Sequence, residues 1–297
     1  MPELPELVGL SQFLNAELAG SVLESVQITS FTALKTAAPS ERELLGRVLK
    51  DVSRQGKFID LRFGPSTTDD VGLHFIFHLA KAGWLRFSAG VVPAEQKRPA
   101  ALKPGGYITA RLGFDNARID LTEAGTRKSM AIYLVREASE VPGIATLGPD
   151  PLAEDFTVEQ LSEILSRKRA QIKGVLRDQR QIAGIGNAYS DEILHLARLS
   201  PFAPSNSLSE EQVQTLFDSI RSILQQAIAQ ASGKPASELK DAKRSSMRVH
   251  TRTGEACPVC GDTVHEVAFA DRSLQYCPSC QTGGKLLADR RMSRLLK

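Results

Sequence analysis

Cys257-Pro258-Val259-Cys260 and, sixteen residues further on, Cys277-Pro278-Ser279-Cys280 hold every cysteine of the chain. Two CxxC turns at this separation can aim four thiolates at one tetrahedral cation, which suits zinc. Two disulfides or an iron–sulfur site could use the same residues. An intracellular setting disfavours disulfides, and the ribbon-like spacing favours zinc. Gly261 follows the first pair, where a turn calls for a positive backbone angle. Residues 263–276 read as the hairpin joining the two turns, with His265 a hairpin residue rather than a ligand. The spacing demands no further ligand, so the metal is expected to be closed and structural. Residues 247–297 are too few for a core of their own, and a metal is the staple such a module needs.

The 297 residues upstream of and including this module allow roughly two domains. No run of eighteen apolar residues exists, which excludes a membrane-spanning helix. The start, Met1-Pro2-Glu3-Leu4-Pro5-Glu6, places two carboxylates and two prolines where a secretion signal needs positive charge and an apolar run, so a cytoplasmic location is expected. The net charge is only +3. Its distribution says more. Residues 231–297 hold twelve Lys/Arg against seven Asp/Glu, while the first 230 hold twenty-five against twenty-seven. A basic module on a neutral body fits an anionic partner held at that end; a solubilising tail, with Arg290, Arg291 and Arg294, fits the same charges.

Leu4, Leu7, Val8, Leu10, Leu14 and Leu18 recur at spacings of three and four, which predicts an amphipathic helix over 3–19. From 22 to 135 the pattern turns to short, partly alternating apolar runs, at 26–28, 58–63, 73–79, 84–87, 108–112 and 130–135. Breaks such as Gly64-Pro65 and Lys103-Pro104-Gly105-Gly106 separate them, and the runs predict a β-sandwich or barrel. Residues 136–155, rich in Gly and Pro, read as a connector. Helices are predicted over 158–165, 169–177, 188–197 and 209–231, the last opened by Ser209 with Gln212 completing a capping box. Ile182-Ala183-Gly184-Ile185-Gly186-Asn187 reads as a tight turn whose Asn caps the next helix. Residues 232–246 lack apparent apolar anchors and read as a flexible linker. The expected organisation is α+β and multidomain: a helix-led β domain over 1–135, the connector 136–155, a helical domain with its linker over 156–246, and the zinc module 247–297.

Some side chains carry two readings. Removal of Met1 would leave Pro2 a secondary amine, able to attack an electrophilic sugar carbon and form an imine-type intermediate. Glu3 and Glu6 could then supply a proton and an anchor; proline and acidic residues are equally at home at an ordinary helix start. Lys57, after the glycine of Arg54-Gln55-Gly56-Lys57-Phe58, could reach a phosphate or simply decorate a hairpin. His74 and His78 share a strand face and read as packing or hydrogen-bonding residues. Arg272 lies in the segment that the metal holds, well placed to meet phosphate.

Four pieces together resemble the formamidopyrimidine-DNA glycosylase and endonuclease VIII family. They are Pro2-Glu3-Leu4-Pro5-Glu6, Gln55-Gly56-Lys57-Phe58, the run from Ala183-Gly184-Ile185-Gly186-Asn187 through Ala188-Tyr189-Ser190-Asp191-Glu192, and the ribbon ending Cys277-Pro278-Ser279-Cys280-Gln281. Their order and separations match the family across essentially the whole chain. The resemblance implies an N-terminal β-sandwich, a helix–two-turn–helix domain and a zinc finger, acting on damaged DNA as a glycosylase and abasic-site lyase. It makes Pro2 the nucleophile, Glu3 the acid assisting sugar opening, Glu6 a supporting carboxylate and Lys57 a phosphate contact in the catalytic set. It also implies DNA contacts from Asn187, Arg272 and Lys173. A base buried in a duplex must be turned out before its sugar can be attacked, and phosphate contacts offset that cost. One structural zinc, no organic cofactor and a single chain holding the complete clamp are expected.

The chain departs from the family pattern where the damaged base leaves a gap. His78-Leu79-Ala80-Lys81 stands where the family commonly has His-Leu-Gly-Met, so lysine replaces an apolar wedge. The later loop, Leu121-Thr122-Glu123-Ala124-Gly125-Thr126-Arg127-Lys128, lacks the family's aromatic wedge. Lys81 with Arg127 or Lys128 would hold the opposite strand by charge, or else substitute poorly for stacking. Leu4 brings the start closer to the formamidopyrimidine branch, which points to oxidised purines. A non-excising binder of damaged DNA, and a lyase acting mainly on abasic or single-stranded sites, are the rival readings.

Overall fold

The leucine spacing at the N-terminus is realised as helix α1 (Leu4–Leu18), with Leu4, Leu7, Leu10, Leu14 and Leu18 all buried. A computed structural model describes residues 1–64, 72–90, 106–125, 128–167, 169–269 and 272–288. Arg127, the Pro65 and Lys103–Gly105 breaks, and Arg290, Arg291 and Arg294 lie outside the described residues. Two compact units emerge, Met1–Thr146 with Gln230–Ala242, and Leu147–Ala229 with Lys243–Lys297.

Among the described residues of the first unit the region 22–135 forms eight strands, including two at no quoted apolar run: β1 (Leu23–Ile28), β2 (Leu49–Gln55), β3 (Phe58–Phe63), β4 (Leu73–His78), β5 (Gly83–Ala89), β6 (Ile108–Phe114), β7 (Ala117–Glu123) and β8 (Ala131–Val135). They pair antiparallel in two sheets, ordered β1-β6-β7-β5 and β2-β3-β4-β8. Leu85, Leu112, Ile119 and Leu121 of one sheet share a single core with Leu49, Leu61, Phe75, Phe77 and Leu134 of the other. Phe63 and Phe114 stack across it at 6.4 Å. This is the expected β-sandwich.

Two stretches differ from their sequence reading. Residues 232–246 do carry apolar anchors: Ala236 is 2% exposed and Leu239 is fully buried in the sandwich core. Trp84 Nε1 donates to the Ala236 carbonyl at 3.0 Å, and Lys240 lies over the Trp84 ring at 4.7 Å. A side chain on Gly9 of α1 would sit 3.0 Å from Ala231 Cβ and 3.1 Å from Leu239, so helix and segment approach to backbone distance. The stretch looks polar because it offers only two small anchors among charged residues. The connector 136–155 also holds structure, a 3-10 turn at Ala138–Glu140 and helix α2 (Pro142–Ala145). Val141 is buried against Ile76 and Val135, and Gly143 approaches the Phe58 ring so closely that a Cβ would lie 2.7 Å from it.

The second unit contains α3 (Val158–Ser166), α4 (Ile172–Arg177), α5 (Asn187–Leu196) and most of α6 (Glu210–Ala231), followed by α7 (Leu239–Ser246), whose first turn belongs to the first unit. Thr157 caps α3 by accepting from Gln160 N–H. The Ser209–Gln212 box forms as expected, with Ser209 N–H donating to Gln212 Oε1 at 3.0 Å and Gln212 N–H to Ser209 Oγ at 3.3 Å. The cysteine module folds as a hairpin of β9 (His265–Ala268) and β10 (Ser273–Tyr276), then α8 (Pro278–Thr282). His265 is a hairpin residue, paired in register with Tyr276. Among the described residues no helix is long and apolar enough to cross a membrane.

Candidate active site and zinc centre

Glu3 is the N-cap of α1, and Glu6 is its third residue. The Glu6 carboxylate accepts from Glu3 N–H at 2.9 Å, and the Glu3 carboxylate takes the reciprocal bond of a capping box. Both are 3% exposed and Pro2 is buried beside them. The helix-start reading and the catalytic reading therefore describe one arrangement, because the capping box fixes both carboxylates immediately after Pro2.

Lys57 occupies the two-residue turn between β2 and β3. Gln55 pairs with Phe58, and Gly56 at φ +55° supplies the positive angle such a tight hairpin needs at its first central position. Arg54 Nη1 braces the turn from the Gly56 carbonyl at 2.9 Å. Lys57 itself is buried. Register then brings in a further group: Phe58 lies opposite His78, their rings 5.1 Å apart. Burial, joined by the positive charges of Lys57 and of the chain's amino terminus, lowers the His78 imidazole to about 4. His78 Nδ1 accepts from Ala80 N–H at 3.2 Å. His74, two strand repeats away on the same face, bonds Asp60 at 2.9 Å. Both histidines are hydrogen-bonding residues, and a carboxylate partner for His74 comes from β3.

Lys81 is exposed on the β4–β5 turn, directly after Ala80 at φ +54°. A Cβ on Gly83 would fall 1.9 Å from the Leu79 carbonyl, so only glycine closes this turn. After β7, the buried Glu123 carboxylate accepts from Ser129 N–H at 2.7 Å and Met130 N–H at 3.1 Å, and the Lys128 amine donates to the Glu123 carbonyl. Lys128 is therefore engaged within its own loop.

The second unit gathers the other candidates. The four cysteine sulfurs lie within 4.8 Å of one another, with Cys257–Cys280 at 3.9 Å and Cys260–Cys277 at 3.4 Å. Four sulfurs about 2.3 Å from a tetrahedral zinc would stand about 3.8 Å apart, whereas a disulfide needs about 2.05 Å. A backbone hydrogen bond from Asp262 lowers the Cys260 thiol, while burial pushes Cys277 up to about 11 and Cys280 higher still. A dication among them would hold all four as thiolates. The donor set fits one structural zinc ion.

Asn187 does not cap α5. Gly186 takes that position without a side-chain cap, and Asn187, as the first helical residue, sends Nδ2 to the Ser273 carbonyl at 2.8 Å. The glycine turn before it is wrapped by Gln179, which sequence reasoning missed: Gln179 Oε1 accepts from Gly184 N–H and Nε2 donates to the Ile185 carbonyl, both at 2.8 Å. Arg272 is exposed at the hairpin end, its carbonyl closing the turn with Phe269 N–H at 2.7 Å and its guanidinium over the Phe269 ring at 5.7 Å. Lys173 is 5% exposed, and its ammonium donates to Asp191 Oδ1 at 2.6 Å, Ser190 Oγ at 2.8 Å and the Asn187 carbonyl at 3.0 Å. These bonds tie α4 to α5. Asp191 also holds His250 at 2.8 Å, and the Glu192 carboxylate collects the N–H groups of Arg248, Val249 and His250 at 2.7, 3.0 and 2.8 Å.

Residues 1–132 match the model of the formamidopyrimidine-DNA glycosylase N-terminal domain, 147–238 that of the formamidopyrimidine-DNA glycosylase H2TH domain, and 254–283 that of the zinc finger found in FPG and IleRS. The formamidopyrimidine-DNA glycosylase of Chloroflexus aurantiacus is 32% identical, over 95% of this chain and 98% of its own. An uncharacterised formamidopyrimidine-DNA glycosylase-like protein of Mycobacterium tuberculosis is 56% identical, over 52% of this chain and 98% of its own. The structure of Lactococcus lactis Fpg in complex with DNA containing an abasic site is similar with a TM-score of 0.79 at 28% identity, covering 94% of this chain and 99% of that one. The chain belongs to the formamidopyrimidine-DNA glycosylase family, whose members are DNA glycosylases of base excision repair with a characteristic lyase activity.

Proposed function

We propose that this chain excises a damaged base from DNA and cleaves the strand at the resulting abasic site, with Pro2 as nucleophile once Met1 is removed. The observation that carries this reading is the capping box that holds the buried Glu3 and Glu6 carboxylates immediately after the buried Pro2. The Pro2 amine attacks C1′ of the deoxyribose, and the base departs with the electrons of the glycosidic bond and takes up a proton. Glu3 delivers a proton to the ring oxygen as the sugar opens, leaving an iminium. Loss of the C2′ proton then expels the 3′ phosphate, and water hydrolyses the iminium and frees the amine. Glu6 holds Glu3 in place, and Lys57, Arg272 and Asn187 grip the backbone around the turned-out nucleotide. The zinc stiffens the ribbon that presents Arg272. Leu4 points to oxidised purines as the lesion class. The chain acts as a monomer without an organic cofactor, on DNA in the cytoplasm.

Borohydride reduction on abasic DNA tests this. A covalent adduct is expected with the native chain and should be sharply reduced in Pro2→Gly or when Met1 is retained. Tight DNA binding with no adduct would replace the reading by that of a non-excising binder. The exposed Lys81 favours a second version, in which abasic or single-stranded sites are the main substrates; a cleavage panel of defined lesions in duplex and single strands separates the two.

A further inference from the structure

His195 lies near the C-terminal end of α5, 2% exposed, and has no part in the reaction just described. Its Nε2 stands 3.2 Å from Cys257 Sγ, within hydrogen-bonding reach of sulfur, while its Nδ1 is buried without a hydrogen-bond partner among the described residues. A neutral imidazole carries one proton. Placed on Nδ1 it would be buried with nothing to receive it; placed on Nε2 it meets a sulfur. Metal-bound thiolates accept such N–H bonds, and partners beyond the ligands orient them and tune the metal.

The ribbon is joined to this helix region at several other points. Asn187 Nδ2 holds the Ser273 carbonyl, Glu192 holds the backbone of 248–250, and Gln281 Nε2 donates to the Leu199 carbonyl at 3.0 Å. None of those touches a cysteine sulfur. Cys260, the exposed ligand, has the backbone of Asp262 as its hydrogen-bond partner. Cys257, buried, has a side chain from another domain.

We infer that His195 is a positioning residue of the zinc centre, donating an Nε2–H···S bond to the Cys257 thiolate and so linking the helical domain to the metal. The inference rests on the zinc reading of the four cysteines and is independent of the chemistry at Pro2. Four thiolates on one dication leave the site with a net charge of −2, and a donated proton makes the sulfur that receives it less nucleophilic. Zinc release and alkylation at Cys257 should both be slowed by His195.

The test uses the full-length, zinc-loaded chain with N-ethylmaleimide and a chromogenic zinc chelator. His195→Phe, which keeps an aromatic ring and removes the donor, should release zinc about tenfold faster. Mass spectrometry should show Cys257 alkylated earlier than in the native chain, with little change at Cys260. His195→Gln, which keeps an N–H, should recover part of the difference. Native release and alkylation rates in His195→Phe would overturn the inference. If the variants fail to fold, long-range 1H–15N spectra of the native chain decide: an Nε2-protonated ring supports the bond, and an Nδ1-protonated ring overturns it. A purified chain without zinc would remove its basis, whereas loss of borohydride trapping alone would count only against the reaction at Pro2.

Discussion

The side-chain amide of Asn187 donates across 2.8 Å to the carbonyl of Ser273, 86 positions further along the chain. This bond fixes the residue next to Arg272 to the first turn of α5. Two residues expected separately to grip DNA are thus parts of one support. In Asn187→Ala the lost bond should cost about 1 kcal/mol of stability, measured by urea unfolding. If Arg272 depends on that support, affinity for abasic duplex should fall about fivefold for the same energy, measured by fluorescence anisotropy.

Arg272→Ala should weaken DNA binding to a similar extent whatever the sequence. If the guanidinium neutralises one phosphate, the slope of log K against log salt should shrink by about 1. An unchanged slope would remove Arg272 from the phosphate contacts.

Lys81 stands exposed on a turn that Gly83 keeps tight, at the position where the resemblance to the family leads one to expect an apolar wedge. Lys81→Met should raise cleavage of lesions in duplex DNA relative to the same lesions in single strands. Equal ratios for the two proteins would show that the turn takes no part in opening the duplex.

Two histidines on β4 should give opposite pH dependences. The Asp60 hydrogen bond raises His74 above its ordinary 6.5, so its contribution to stability is whole below that pH and lost as pH rises through the raised value. Burial, aided by Lys57 and the terminal amine, holds His78 at about 4, so its contribution is whole above 6.5 and lost as pH falls toward 4. Thermal midpoints measured against pH should respond on both sides, and Asp60→Asn should flatten the alkaline side alone.

Cys277→Ser should release the zinc and weaken DNA binding, as read by metal content per chain and by anisotropy. Full zinc content in the variant would refute the four-cysteine assignment.

Much of this architecture was legible in the residues because its signals are local. The Ser209–Gln212 box, the leucine stripe of α1 and the two CxxC turns each lie within a few positions or one helical face. What escaped depends on partners far along the chain. Asn187 looked like a cap because the carbonyl that claims its amide lies in a later hairpin. The Lys173–Asp191 pair left no mark in the sequence because Asp191 belongs to the next helix. The segment around Ala236 looked unanchored because Trp84, its partner, is 152 positions away. His195 gave no signal by spacing, since its sulfur lies 62 positions downstream.

The burial of Ala236 and Leu239 beside Trp84 bears on the order in which the nascent polypeptide can mature. A ribosome making this protein releases all eight strands of the sandwich long before it reaches the segment that seals their core. The emerging half must wait, with part of its apolar surface wet, while the whole of α3, α4 and α5 is synthesised. A prematurely terminated product ending at Thr146 should therefore be a substrate for chaperones and proteases rather than a free-standing domain.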